Sequence, residues 1–124
     1  MIHLDTNCLI GFVTADSPAR GKLLGWLRSQ EEFAASAIAW SEFLNGPVSQ
    51  LEISDAFEIV EGRIIPFDIR AAEIAARLFN TIGRKRANKP DCFIAATAIV
   101  ARASLATLND RDFTPFVFHG LHLA

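Results

Sequence analysis

Residues 92–101, CFIAATAIVA, restrict this chain more than any other stretch. No charge interrupts them, and a helix built from them is apolar on nearly every side. Such a helix belongs in an interior, packed against a sheet. Its alanines at 95, 96, 98 and 101 permit close backbone approach, and Pro90 supplies a first-turn start.

The remaining apolar runs are short and alternate in type. Met1–Leu4, Phe33–Ala35, Arg63–Phe67, Ser104–Leu108 and Val117–His119 are strand-length. Between them lie helical stretches: one reaching Val13, one from Ser17-Pro18 to Ser29, Ala37–Leu44 behind the cap residue Ser36, and Val48–Val60. The clearest is amphipathic, with Ala71, Ile74, Ala75, Leu78, Phe79 and Ile82 on one face and Arg70, Glu73, Arg77, Asn80 and Arg84 on the other. Strands separated by helices imply a small parallel sheet covered on both faces, an α/β protein built as a three-layer α/β/α sandwich. With 124 residues and no linker or repeat, a single domain over 1–124 is expected.

Composition excludes several classes. No apolar run reaches the ~18 residues of a membrane span, and MIHLDTN lacks the flank and apolar region of a secretory signal. The two cysteines, Cys8 and Cys92, make no disulfide framework and fit a reducing compartment, so the cytoplasm is expected. No Cys-His spacing supports zinc, and small buried thiols are the ordinary reading. His3, His119 and His122 read as strand or tail residues. The formal charge of −2 hides a segregation: Arg77, Arg84, Lys85, Arg86 and Lys89 occur with no acid among them, just before Asp91. A lone charge run is usually a solvated loop, but this one adjoins a carboxylate, as a site acting on a polyanion would require.

Four acids border apolar runs: Asp5, Glu42, Asp91 and Asp112. Ionised carboxylates at a core edge are costly without a compensating cation or donors. In an open parallel sheet, ligands bind beyond the carboxyl ends of the strands. Asp5 directly follows the first strand and Asp112 closely follows the fourth, so both should lie at that edge. Asp91 belongs in the first turn of its helix, where the dipole favours a carboxylate. Glu42, among bulky apolar residues, should be half-buried and turned inward. Singly, Asp5 could be a helix cap, Asp91 a dipole carboxylate, and Asp110 or Asp112 turn residues. Jointly they point to a hard-metal site for phosphate chemistry.

The motifs LDTN (Leu4–Asn7), SEF (Ser41–Phe43), GRIIPFD (Gly62–Asp68), PDCFIAATA (Pro90–Ala98) and TLNDRDF (Thr107–Phe113) occur in order over essentially the whole chain. In this the sequence resembles the PIN-domain ribonucleases, in particular the VapC toxins of VapBC-type toxin–antitoxin pairs. GRIIPFD and the ending Val117-Phe118-His119 are most similar to the FitB-like branch. The resemblance implies a Mg²⁺- or Mn²⁺-dependent endoribonuclease with Asp5, Glu42 and Asp91 as its first three acids. Asn109, Asp110 and Asp112 all compete for the fourth place; Asp112 is favoured as the charged group, with Asn109 as a neutral, water-holding partner. Thr6 and Asn7 would orient Asp5 or bind a metal water. The resemblance further implies an RNA substrate, a VapB-type antitoxin and homodimerisation. Trp26, Trp40, Phe43 and Phe57 could be core, or in part the surface an antitoxin covers. A dehalogenase-like phosphatase would need an acid where Asn7 stands, and a receiver domain would need an acidic pair after the first strand. The remaining alternative is a non-catalytic PIN-like module that binds RNA or a partner.

Overall fold

Ile2–Leu4 (β1) is buried at every position and forms the middle of a five-stranded sheet. The order is β3-β2-β1-β4-β5, with β2 at Phe33–Ser36, β3 at Ile64–Ile65, β4 at Ser104–Ala106 and β5 at His122–Leu123. Every neighbouring pair is parallel, so each connection must cross the sheet, and helices provide the crossings. The computed structural model describes residues 1–124, the side chain of residue 87 excepted. Helix α1 (Thr6–Val13) packs on α2 (Ala19–Arg28), α3 (Ala37–Asn45) and α4 (Gln50–Ile59). Helix α5 (Ile69–Thr81) runs along α6 (Lys89–Ala101), and α7 (Asp110–Val117) leans on α6. This is the expected three-layer α/β/α sandwich.

Residue chemistry accounts for the elements. On α6, Cys92, Ile94, Ala95, Ala96, Thr97 and Ala98 are all buried, as the uncharged stretch 92–101 requires. The Thr97 hydroxyl donates to the Phe93 carbonyl at 2.8 Å, so no polar group is stranded there. Ser36 caps α3 by accepting from the Ala39 amide. Helix α4 begins at Gln50 rather than Val48 because Ser49 and Glu52 close a reciprocal capping box. Ala71, Ala75 and Leu78 are the buried positions of α5, in keeping with its apolar face.

The expected strand at Val117–His119 is not one. Val117 ends α7, Phe118 and His119 lie in the following turn, and the fifth strand is His122–Leu123. Two forces override the β-propensity of Val117-Phe118. Asp110 and Asp112 favour a helix start at 110, and Phe113 and Phe116, three apart, bury on one face of the resulting helix. Gly120, at φ +104°, then turns the chain so that Leu121 is buried and His122 pairs with Ser104.

His3 is a discordant residue in the sheet. It is 1% exposed, and neither ring nitrogen has a hydrogen-bond partner. Burial, helped by the N-terminal ammonium, pushes its pKa down to about 4. The unfolded chain thus takes up this proton near pH 6.5 and the folded chain only near 4, so stability is lost as pH falls between those values. Replacing His3 with Leu should stabilise the protein at pH 7 by about 1 kcal/mol, because no unsatisfied nitrogen remains buried. The advantage should widen by roughly 3 kcal/mol on going to pH 4, at 1.36 kcal/mol per pKa unit. Urea melts of both proteins at the two pH values measure it.

Candidate functional site

The strand order places the site. The chain progresses outward from β1 through β2 to β3, then returns to the other side of β1 for β4 and β5. The reversal lies between β1 and β4, whose carboxyl ends are adjacent: Leu4 pairs with Ala106, and the Asp5 amide donates to the Ala106 carbonyl at 2.9 Å. Asp5 and Thr107 therefore emerge side by side.

Asp5 is 6% exposed and serves as the N-cap of α1. Its Oδ1 accepts from the Thr6 amide at 2.8 Å and its Oδ2 from the Thr107 hydroxyl at 2.7 Å. The Thr107 oxygen in turn accepts from the Asn109 amide at 3.0 Å and from the Asn7 side chain at 3.4 Å. Asn7 also accepts from the Leu108 amide at 3.0 Å, so the start of α1 is stitched to the loop after β4. On the other side, the Thr6 hydroxyl donates to Glu42 Oε2 at 3.0 Å. Glu42 is half-buried on α3, as its apolar neighbours implied. Thr6 and Asn7 thus orient the acids, Thr6 by two bonds and Asn7 through Thr107. Thr107 was missed at the sequence level; its signal was its place just after β4, opposite Asp5 just after β1.

The acids feel one another. Burial raises the Asp5 pKa, Thr107 and Thr6 partly oppose it, and the charges of Glu42 and Asp112 raise it further. Asp91, half-buried in the first turn of α6, is pushed up to about 6 by burial and by Asp5, Asp112 and Glu42. Asp112, exposed in the first turn of α7, acts on both Asp5 and Asp91. Asn109 precedes α7 and meets the network through its backbone amide. Cys8 and Cys92 are buried, and burial first, then neighbouring acids, raises their thiols to about 12 and about 11; they are inert small hydrophobes.

Among the described residues, no group of three His, Cys, Asp or Glu side chains is arranged so that it could hold a metal ion. The cluster is an open, all-oxygen, anionic edge. The PIN-domain family model matches residues 2–116. The chain belongs to the PIN-domain family. Among solved structures, this PIN domain is similar to FitAcB from Neisseria gonorrhoeae, at 27% identity and a TM-score of 0.69, over 99% of this chain and 96% of that one. It is likewise similar to a toxin–antitoxin complex from Klebsiella pneumoniae, at 28% identity and a TM-score of 0.72, over 91% and 90%. VapBC2 from Rickettsia felis, bound to a DNA fragment from their promoter, shares the fold at 22% identity and a TM-score of 0.71, over 100% and 98%. No curated protein matches the chain.

Two outcomes follow for this PIN domain. Thr107→Val should cost about 1–3 kcal/mol, because a buried carboxylate loses a donor, and Thr107→Ser should restore most of it. Chemical denaturation distinguishes them. For Asp91 the folded state holds its proton more tightly than the unfolded one, so its contribution is present at low pH and lost as pH rises from about 3.8 to about 6. Metal-free Asp91→Asn should therefore melt higher than wild type at pH 7.5 and converge with it near pH 4.

Proposed function

We propose that this PIN domain is a Mg²⁺- or Mn²⁺-dependent endoribonuclease, acting as the toxin of a type II toxin–antitoxin pair in the cytoplasm. What supports it is that Glu42 and Asp112 act on the charge of Asp5, and all three on that of Asp91, beside the carboxyl ends of β1 and β4. Such a set fits a hard cation: all donors are oxygens, and their repulsion is relieved when one binds. The open arrangement also fits Mg²⁺, which keeps several waters and takes only one or two direct carboxylates. Asp5, Glu42, Asp91 and Asp112 would hold the metal, which supplies an activated water and charge neutralisation at the phosphate.

The chain's own residues do the positioning. Thr107 and the Thr6 amide fix both oxygens of Asp5, and the Thr6 hydroxyl fixes Glu42. Holding charged oxygens in place before substrate arrives lowers the reorganisation needed during reaction. Asp91 reaches in from α6, on the side where the basic segment joins. Hydrolysis by water leaves 5′-phosphate and 3′-hydroxyl ends and makes no use of the 2′-hydroxyl. Asp112 suits the fourth place better than Asp110, since its charge bears on both Asp5 and Asp91.

The partner reading draws on the solved neighbours, among them the toxin–antitoxin complex from Klebsiella pneumoniae. A VapB-type antitoxin has a cleft of about 370 Å³ available, in which Leu23, Leu24, Leu27 and Ile59 are flanked by the charged Arg20, Asp55 and Glu58. Leu24 and Leu27 are each about half exposed there. Phe43 is fully buried and Trp26 and Trp40 mostly so, which leaves Phe57, at 50% exposure, as the member of that aromatic group facing solvent. Homodimerisation belongs to the same proposal.

A second reading, a non-catalytic PIN module, draws on the lack, among the described residues, of three acids arranged to hold a metal ion. Sequencing RNA ends after incubation of total RNA with Mn²⁺ separates the two. Wild type should generate new 5′-phosphate ends, and EDTA should abolish them. Asp5→Asn should fall by more than about 100-fold, beyond the loss of an outer-shell partner. Mn²⁺ affinity should weaken as pH drops through about 6, where Asp91 takes its proton. Metal-independent ends, or full activity in Asp5→Asn, would sink the proposal.

A further inference from the structure

The carboxylate edge repels any polyanion, so a nucleic-acid substrate must gain its affinity elsewhere. Between Glu73 and Asp91 the chain has five basic residues and no acid. Arg77, Arg84, Lys85, Arg86 and Lys89 are all exposed, and none forms an ion pair among the described residues. The segment is shaped rather than loose. Gly83 and Arg84 take left-handed φ values of +80° and +62°, Arg84 Nε donates to Asn80 Oδ1 at 2.9 Å, and Lys89 Nζ lies 5.2 Å from the Phe79 ring centre. Arg86–Asn88 is a 3₁₀ turn leading directly into α6, whose first turn holds Asp91.

We propose that Arg84–Lys89 is the surface on which the backbone of single-stranded RNA lies as it enters the carboxylate site. The inference rests on the ribonuclease reading and adds where the polymer is held. Charge complementarity selects a polyanion, and continuity with Asp91 selects one that continues into the acids. A duplex would need contacts to two successive minor grooves and the phosphates between them, whereas this chain concentrates its cations in one short segment. Arg84–Lys89 contains no aromatic residue, so its contacts are to phosphate and carry little sequence preference.

The test uses full-length protein in EDTA, a fluorescent single-stranded 12-mer RNA, and anisotropy titrations over a range of KCl. Lys85→Glu and Arg86→Glu should each weaken binding about 5-fold or more and lower the slope of log K against log salt by about 0.7, one lost single-strand phosphate contact. Arg28→Glu, a matched charge reversal on α2, should leave the slope unchanged. Equal losses in all three variants would mean that only net charge acts, overturning the proposal. Preferential loss of polyglutamate over RNA binding would assign the segment to an acidic protein partner and overturn it too. If the variants bind like wild type while wild type cleaves RNA, the surface fails and the ribonuclease reading stands. If wild type neither binds nor cleaves, both fail.

Discussion

A single buried carboxylate organises this molecule. Asp5 ends the central strand, begins the first helix and accepts the Thr107 hydroxyl from the far side of the sheet's switch point. Its amide continues the β1–β4 ladder while its side chain leaves it. Burial alone would drive the group toward its neutral form; two hydrogen bonds work against that, and two nearby carboxylates work with it. The balance keeps an acid at the one edge where two parallel strands present their carboxyl ends together. Glu42 depends on this arrangement through Thr6, and the loop carrying Asn109 depends on it through Thr107.

Much of this was legible in the sequence because it rests on local chemistry. Asp5 after a strand and Asp91 after Pro90 both sit where backbone geometry favours a carboxylate. Glu42 announced itself by being charged among bulky apolar neighbours, and Thr6 is the partner it required. The uncharged run of α6 declared a buried helix. What stayed hidden depends on distant pairing. A threonine after a strand looks like any turn residue until the Leu4–Ala106 register sets it beside Asp5. Helix α7 was obscured because Pro115 and the Val117-Phe118 pair argue against a helix, while its support is the burial of Phe113 and Phe116 against the rest of the fold.

The site stores unfavourable energy that the remainder of the fold supports. Asp91 is held where burial and neighbouring carboxylates oppose its charge. Such local frustration is common where binding must be driven, since whatever relieves the repulsion is attracted by the same amount. The surrounding core is conservative by comparison: alanine-rich at β2 and α6, where close approach matters, and aromatic where Trp26 meets Phe12 edge-on at 6.2 Å and Phe33 in a tilted contact at 6.3 Å.

The sheet's outer strands, β3 and β5, are two residues long. A ribbon that short offers too few free amides and carbonyls to recruit another chain edge-on, which is a common protection against strand-by-strand aggregation. Association must then be written in the language of helices. A second copy or a folded partner would dock side chains into grooves between helices, and its specificity would reside in shape and charge rather than in a shared hydrogen-bond ladder.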